Sequence, residues 1–284
     1  MLCFPLRYGA SVVLLEKLTP DLLLESIARY RATTCFTAPT FYRQMAQLAQ
    51  GHDLRSLKKC VSAGEALPDA TRQAFKRATG IEIIDGIGST EMIHIFISHK
   101  PEDVRRGATG YAVPGYRATV LDDAGRPCPP GAIGRLAVKG PTGCRYLADE
   151  RQREYVQNGW NITGDAYVRD EDGYFFYQAR TDDMIVSAGY NIAGPEVEGV
   201  LLEHEAVAEC GVVGVPDEDR GQIVKAYVVL KPGHGKSDAL AKRLQDHVKG
   251  AIAPYKYPRR IEFVDALPRT ETGKLQRFKL RERA

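Results

Sequence analysis

The sequence predicts an α/β fold in which a mostly parallel α/β region is followed by an antiparallel β subdomain and then by a small α+β region. Three observations lead to this prediction. Short β-branched runs alternate with amphipathic stretches up to residue 104, as in a parallel sheet with crossover helices. Glycine and proline turns separate short strands over residues 105–180, which indicates antiparallel pairing. The mixture of strands and helices begins again after residue 183.

The first region contains the signals of four strands and three helices. The strands are predicted at residues 12–15, 33–37, 59–62 and 81–84. Thr19 before Pro20 is typical of a helix N-cap followed by proline at the first helical position. Further helices are expected near residues 39–50 and from Pro68 to Gly80. Strand and helix therefore alternate, which favours parallel pairing.

The later regions are predicted from turns and caps. In the antiparallel subdomain, residues 122–125 form a turn between a strand at 117–121 and a strand at 134–138. In the last region, Pro195 opens one helix and Ser237 caps another. We therefore expect a separate small domain after residue 183.

Composition and charge are those of an ordinary globular protein. The chain has 284 residues, of which 44% are hydrophobic and 26% charged, and its net charge is +3. Residues 268–284 hold six Lys/Arg against two Asp/Glu. A solvated surface explains this tail, and contact with nucleotide or coenzyme phosphates is the alternative. We do not expect a nucleic-acid partner.

Cysteine spacing and hydropathy exclude several classes of protein. The six cysteines form no C-x-x-C pair, so neither a zinc site nor a disulfide framework is expected, and a cytoplasmic location fits best. No apolar run approaches the roughly 18 residues of a membrane span. The first residues lead into an apolar run without a preceding polar segment, so we expect the sequence to begin inside a folded element.

Two segments follow predicted strands, where open parallel sheets bind ligands. The first holds Gly64, and a glycine-bearing segment of this kind is usually only a turn. In the second, the glycines let backbone approach a ligand, Thr90 can donate to a phosphate oxygen, and Glu91 can hold a magnesium ion. A tight turn that ends in a helix cap would use the same residues.

The most specific signal joins Asp165 to Arg180. Asp165 ends a segment with the only tryptophan of the chain, and its carboxylate can accept from two vicinal hydroxyls. The guanidinium of Arg180 presents several donors in a fixed plane. Together they predict a ribose clamp. Taken separately, a buried Trp160 beside an Asx turn and a surface ion pair with Asp182 would give the same residues.

Lys274 lies on a glycine- and threonine-rich loop near the C-terminus. Such a loop can move, and an ammonium brought against an α-phosphate and a reacting carboxylate would stabilise charge that develops in the transition state. A solvent-facing lysine is the ordinary alternative.

Five segments, in order, resemble the core motifs of the adenylate-forming superfamily of acyl-CoA synthetases, peptide-synthetase adenylation domains and luciferases. They are residues 88–91, 159–165, 180–185, 189–198 and 268–274. Within the superfamily, residues 85–96 and 187–196 are most similar to benzoate-CoA and 2-aminobenzoate-CoA ligases. The resemblance covers essentially the whole chain.

The resemblance implies how the regions are organised. Residues 1–104 would be the remainder of a large, N-terminally truncated α/β adenylation domain, and residues 105–180 its antiparallel β subdomain. Residues 181–183 would be a hinge, and residues 184–284 a small mobile C-terminal domain. A homo-oligomer is left open by the sequence.

The resemblance also implies a two-step reaction, in which a carboxylic acid and MgATP give an acyl-adenylate and coenzyme A then displaces AMP. Lys274 would serve the first step, Thr90 the phosphate and Glu91 the magnesium. Asp165 and Arg180 would bind the ribose. The remaining implied roles are adenine contact for Gly64, Glu65, Ala66, Asp85 and Gly86, the hinge for Asp182, the pantetheine arm for Gly189, and the acyl pocket for Ile87 and His94.

The chain departs from the superfamily pattern in ways that affect activity. Its 284 residues contain no counterpart of the Ser/Thr/Gly-rich phosphate loop or of the aromatic gate of the acyl pocket. Ile87 stands where many relatives have tyrosine, Ala179 stands where glycine usually precedes the arginine, and an ordinary surface or core role also explains His94. We therefore expect low or no activity from this chain alone. A fatty acyl or amino-acid adenylating enzyme, and a catalytically inactive AMP-binding module, are the alternatives.

Overall fold

The computed structural model describes residues 3–270 and 273–283. The helices are α1 (Cys3–Tyr8), α2 (Pro20–Tyr30), α3 (Pro39–Leu48), α4 (Asp69–Thr79), α5 (Arg151–Tyr155), α6 (Gly194–Leu201), α7 (Asp238–Ala251) and α8 (Arg277–Glu282). The strands are β1 (Thr34–Thr37), β2 (Lys59–Ala63), β3 (Ile83–Gly88), β4 (Ile95–Ser98), β5 (Tyr111–Ala112), β6 (Arg117–Leu121), β7 (Ile133–Lys139), β8 (Val156–Gln157), β9 (Trp160–Arg169), β10 (Phe175–Arg180), β11 (Ile185–Ser187), β12 (Tyr190–Ile192), β13 (Val207–Asp217), β14 (Gly221–Leu230) and β15 (Arg260–Phe263). This mixed architecture confirms the predicted α/β class.

The first sheet has the order β1-β2-β3-β4-β5. Its first three strands are parallel, and β4 and β5 continue it in antiparallel pairing. The helices α2, α3 and α4 cover it through a core that includes Leu24, Tyr42, Met45 and Phe75. The predicted N-cap of α2 is confirmed, because the Thr19 hydroxyl accepts from the N–H of Leu22 at the start of the helix.

The predicted strand at residues 12–15 is wrong. This segment lies outside the strands of the described chain, and the side chain of Leu14 is 81% exposed. Among the described residues, the first sheet therefore has three parallel strands in place of the four that the alternation predicted. The physical reason is that an apolar run becomes a buried strand only where other residues of the fold pair with it and cover it.

The second sheet is antiparallel, with the order β10-β9-β7-β6 and with β8 paired to β9. This confirms the antiparallel region that the glycine and proline turns predicted. Its core joins Leu136 and Val138 of β7 to Tyr167 of β9 and Phe96 of β4. The shared core fixes the end of β9 and β10 relative to the first sheet.

The residues after Asp183 have apolar cores of their own. A hairpin of β11 and β12 precedes α6, and the sheet β13-β14-β15 packs on α6 and α7 through residues such as Leu201, Val212 and Leu244. The hydroxyl of Ser237 accepts from the N–H of Leu240, which confirms the predicted cap of α7. No helix within residues 3–270 and 273–283 is long and apolar enough to span a membrane.

Candidate active site

One cavity of about 910 Å³ collects most of the residues predicted from the sequence. It lies between the loops after β2 and β3, the middle of β9, the end of β10, and the C-terminal part of the chain. The predicted residues that line it are Gly64, Glu65, Ala66, Asp85, Gly86, Ile87, Glu91, Asp165, Arg180 and Lys274. Thr90, His94, Asp182 and Gly189 are not among the described residues of its wall.

The register of the first sheet explains why two distant loops meet at this cavity. Ser62 of β2 is paired with Asp85 of β3, and Ala63 with Gly86, so the chain leaves both strands at the same sheet edge. Gly64 then turns with φ +93, in the left-handed region that favours glycine. The parallel neighbours place the two segments side by side, as the rule for open α/β sheets predicts.

Asp85 is a buried carboxylate at the wall of the cavity, with a relative exposure of 8%. Burial raises its pKa from 3.8 to about 7, and the backbone N–H of Gly86 opposes the shift. Its Oδ1 atom has no hydrogen-bond partner among the described residues. Its backbone N–H donates to Nε2 of His99 over 3.0 Å, so that ring nitrogen is an acceptor. An unpartnered buried oxygen is suited to accept from an amino group.

Asp165 and Arg180 face each other across β9 and β10, where they are register partners. The nearest oxygen and nitrogen atoms lie 3.6 Å apart. Arg180 also donates to the carbonyl oxygen of Thr163 over 3.3 Å and lies 3.5 Å from Asp182. Burial raises the pKa of Asp165, and Arg180 opposes that shift. The pair predicted from residues fifteen positions apart is thus formed, with its carboxylate toward the cavity.

Gly164 makes room for this pair. A Cβ atom at Gly164 would lie 2.9 Å from Nη2 of Arg180, and the φ of +78 is in the left-handed region. A side chain at this position would force the guanidinium to shift and would strain the backbone. The Gly-Asp sequence here has a direct steric basis.

Glu91 is held by a residue that the sequence analysis missed. The hydroxyl of Tyr146 donates to Oε1 of Glu91 over 2.8 Å. Burial alone would raise the pKa of Glu91, but hydrogen bonds from its own backbone N–H, from Tyr146 and from Ser89 lower it below its usual value. An ionised carboxylate is a ligand that magnesium prefers. A lone tyrosine 55 residues away in sequence gives no pattern that could have predicted this contact.

The described acidic side chains do not form a complete metal site by themselves. Within residues 3–270 and 273–283, no group of three or more His, Cys, Asp or Glu side chains is arranged to hold a metal ion. The donor set of Glu91 fits a magnesium ion that nucleotide phosphates also bind, since magnesium commonly uses one or two carboxylates together with substrate phosphates.

Lys274 reaches the cavity from a hairpin formed by the antiparallel bridge of Arg269 and Leu275. A Cβ atom at Gly64 would lie 3.1 Å from Cε of Lys274 and 3.6 Å from its Nζ, so the lysine side chain passes over this glycine. The next residue, Leu275, donates its N–H to Oε1 of Glu65 over 2.9 Å. Glu271 and Thr272 of the predicted motif lie outside the described residues.

Three arginines of the basic C-terminal tail form ion pairs within the protein. Arg277, which also lines the cavity, donates to both carboxylate oxygens of Glu198 at 2.8 and 2.6 Å. Burial lowers the pKa of Arg277, but the adjacent Glu198 carboxylate outweighs this effect and the net shift is upward. Arg281 pairs with Asp183, and Arg269 with Glu209. A solvated surface therefore does not describe Arg269 and Arg277, whose side chains are partly buried, whereas Arg281 is exposed.

The predicted residues outside the cavity lie in defined places. The side chain of Thr90 is exposed, and the ring of His94 packs edge-on against Phe4 with centroids 4.7 Å apart. Gly189 lies in the turn between β11 and β12 with φ +82, and Asp182 is exposed in a short 3-10 turn after Arg180. The roles implied for these four residues remain predictions.

Two family models match the chain. Residues 1–146 match the family model described as AMP-binding enzyme, and residues 196–274 match the model of the AMP-binding enzyme C-terminal domain. The chain is 43% identical to the benzoate–CoA ligase of Thauera aromatica, over 99% of its own length and 54% of that relative.

Solved structures give the same result. The anthranilate CoA ligase AuaEII in complex with anthranoyl-AMP is 44% identical, with a TM-score of 0.94 over 100% of this chain and 56% of that one. A benzoate CoA ligase from Burkholderia xenovorans LB400 is 41% identical, with a TM-score of 0.88 over 99% of this chain and 57% of that one. The chain thus spans about half the length of these relatives. The resemblance found in the motifs is confirmed, and the chain belongs to the AMP-binding enzyme family.

Proposed function

We propose that this chain carries the ribose, adenine and lysine side of the active site of an ATP-dependent acid-CoA ligase. The observation that supports the proposal most is the meeting of Asp165, Arg180, Asp85 and Lys274 at one cavity. These groups come from four separated parts of the sequence. A clamp for vicinal hydroxyls, an acceptor for an amino group and the ammonium of Lys274 together suit an adenine nucleotide.

In the first step, an oxygen of the acid would attack the α-phosphorus, and pyrophosphate would leave. Asp165 and Arg180 would bind the ribose, while Asp85, Gly86 and the turn at residues 64–66 would contact the adenine. Lys274 would stabilise the negative charge that grows on the phosphate and carboxylate oxygens. Thr90 would contact a phosphate, and Glu91 would hold magnesium, which supplies neutralisation of phosphate charge when it is bound.

In the second step, the thiol of coenzyme A would attack the acyl carbon, and AMP would leave. We propose the domain limits expected from the sequence, with residues 1–104 and 105–180 in the large domain and residues 184–284 in the small one. Rotation about residues 181–183, centred on Asp182, would withdraw Lys274 and bring Gly189 to the pantetheine arm. The positive φ of Gly189 and its exposure outside the cavity are compatible with this movement.

An aromatic acid of the benzoate or 2-aminobenzoate type is the proposed substrate. Relatives named benzoate–CoA ligase and anthranilate CoA ligase support this class. Ile87, half-buried at the cavity wall, offers an apolar surface to a ring. His94 is proposed to border the acyl group, although its ring packs on Phe4.

We also propose that the chain alone catalyses the second step better than the first. Its 284 residues contain no Ser/Thr/Gly-rich loop to hold the β- and γ-phosphates, and preorganised donors to those phosphates contribute much of the rate of such a step. The second step starts from an adenylate that lacks these phosphates.

Two measurements on the chain test this function. We expect benzoyl-AMP to bind more tightly than AMP, and single-turnover reaction of supplied benzoyl-AMP with coenzyme A to exceed the rate in buffer. We expect ATP–pyrophosphate exchange near background with benzoate. Absence of AMP and benzoyl-AMP binding would overturn the assignment of the site, and near-normal exchange would overturn the claim of low first-step activity.

The acid whose adenylate binds most tightly distinguishes the proposed function from the alternative functions. Tighter binding of octanoyl-AMP than of benzoyl-AMP would show a fatty acyl enzyme, and tighter binding of an aminoacyl-AMP would show an amino-acid adenylating enzyme. Binding of AMP without any thioester formation from supplied adenylates would show an AMP-binding module. The variant Lys274→Ala should leave thioester formation unchanged, because Lys274 is assigned to the first step only.

A further inference from the structure

The carboxylate of Glu65 joins the turn after β2 to the C-terminal hairpin that carries Lys274. Its Oε1 accepts the N–H of Leu275 over 2.9 Å, and its Oε2 accepts the hydroxyl of Thr40 over 3.0 Å. The side chain of Glu65 is only 18% exposed. Hydrogen bonds to an ionised acceptor in a partly dry site are stronger than those between neutral groups.

Arg269 connects the same hairpin to both sides of the cavity. Its Nη1 donates to the carbonyl oxygen of Gly273 over 2.6 Å and to the hydroxyl of Thr40 over 3.2 Å. Its Nη2 donates to Glu209 over 2.7 Å, and Nη1 lies 3.8 Å from Oε1 of Glu65. One planar guanidinium therefore fixes the hairpin internally and ties it to Thr40 of α3 and to Glu209 of β13.

These contacts surround the residue whose position matters most for the first step. Gly273 and Leu275 flank Lys274 in sequence, and both are held, one by Arg269 and the other by Glu65. Between them, the lysine side chain passes over Gly64, which adjoins Glu65. An error of about 1 Å in placing a charged group can cost a factor of about 100 in rate.

We infer that Glu65 and Arg269 are positioning residues that hold the Lys274 hairpin over the nucleotide cavity. The carboxylate of Glu65 then holds the hairpin. Only the backbone of the turn after β2 would contact the adenine. That the held lysine serves the transfer to the α-phosphate rests on the proposed function. The positioning of the hairpin by Glu65 and Arg269 does not rest on the proposed function. The positioning and the role of Lys274 are tested separately.

The first test needs no ligand. Hydrogen–deuterium exchange of the Leu275 amide should be at least about tenfold faster in Glu65→Ala, because an N–H bond to a charged acceptor is lost. Arg269→Ala should have a similar effect, and the double variant should exceed the larger single effect only slightly, since both act on one network. Glu25→Gln, an exposed acid on α2, is the matched control and should change nothing.

Exchange in α7 shows whether a variant merely loosens the fold. If amides of α7 also exchange faster in Glu65→Ala, the comparison moves to Glu65→Gln and Arg269→Lys, which keep most of the side-chain volume. Glu65→Gln retains an oxygen acceptor for Leu275 and should give a smaller rise than Arg269→Lys, which loses the planar fork. Unchanged exchange of Leu275 in Glu65→Ala, or in Arg269→Lys where the alanine variant loosens α7, would overturn the inference.

The second test reads the position of Lys274 directly. 5′-p-Fluorosulfonylbenzoyl adenosine binds through its adenosine, and an amine that attacks its sulfur displaces fluoride. In Glu65→Ala, the maximal rate of Lys274 labelling should fall about tenfold, while the concentration for half-maximal rate stays constant, because only positioning is lost. A rise in that concentration at constant maximal rate would show that Glu65 binds the nucleotide instead. Absence of Lys274 labelling in the unmodified chain would contradict the proposed role of Lys274 and leave the exchange result standing.

Discussion

The carboxylate of Asp165 and the guanidinium of Arg180 lie 3.6 Å apart as register partners of two antiparallel strands. Because Asp165 lies within β9 and Arg180 ends the neighbouring strand β10, the sheet fixes their separation before any ligand binds. Such preorganisation lowers the entropy cost of binding. The pair therefore presents an acceptor and a set of donors side by side at the cavity wall.

Replacing Asp165 tests whether its carboxylate binds ribose hydroxyls. Asp165→Ala should weaken AMP binding by about 10- to 100-fold, since hydrogen bonds to a charged acceptor contribute about 1.5–3 kcal/mol. Calorimetric titration with AMP and 2′-deoxy-AMP measures this. The unmodified chain should prefer AMP, and the variant should bind both nucleotides alike. Asp123→Ala, at an exposed turn, is the control, and a preference for AMP that survives in Asp165→Ala would contradict the assignment.

Gly164 and Gly125 form a matched pair of substitutions. Both have positive φ, +78 and +77, but a Cβ atom would meet Arg180 at 2.9 Å only at Gly164, while nothing lies within 4 Å at Gly125. Each alanine variant should lose about 1–2 kcal/mol of unfolding free energy from the left-handed backbone. Only Gly164→Ala should also lose AMP affinity, by displacement of Arg180. Equal AMP binding by the two variants, measured by titration, would refute the steric role of Gly164.

Asp85 predicts a specific dependence of stability on pH. Burial raises its pKa from 3.8 to about 7, so the folded chain holds a proton that the unfolded chain has released. The contribution of this group to folding therefore becomes less favourable as pH rises from about 4 to about 7. Asp85→Asn should gain stability relative to the unmodified chain over that window, by at most roughly 4 kcal/mol. Urea unfolding at several pH values measures the difference, which should be smallest near pH 4 and should level off above pH 7.

The features that could be predicted from the sequence are those set by near neighbours. The Thr19 and Ser237 caps depend on a donor three residues away, and the end of α4 depends on the positive φ of Gly80. Asp165 and Arg180 could be predicted as a pair because they lie on two neighbouring strands joined by a short turn. These features depend on residues close together in sequence, so the sequence alone can predict them.

The features that could not be predicted depend on partners far away in sequence. Glu65 holds the amide of Leu275 across 210 residues, and Glu91 accepts from Tyr146 across 55. Residues 12–15 are apolar but find no strand partner among the described residues. Hydropathy gives the preference of a side chain, whereas the identity of its partner follows only from the fold.

Arg277 and Glu198 form an ion pair whose loss should be expensive. The side chains are 22% and 12% exposed, and the carboxylate also accepts the N–H of Val212 over 2.8 Å. Arg277→Met should lower the free energy of unfolding by about 3–5 kcal/mol, because it leaves a buried charge without its partner. Urea unfolding measures this, and Lys242→Met, at the exposed pair with Asp246, should cost no more than about 1 kcal/mol. Adding Glu198→Gln to Arg277→Met should restore part of the loss, since the amide keeps an acceptor for Val212 and removes the unpaired charge. If Arg277→Met costs no more than Lys242→Met, the pair does not stabilise the packing of α8 against α6.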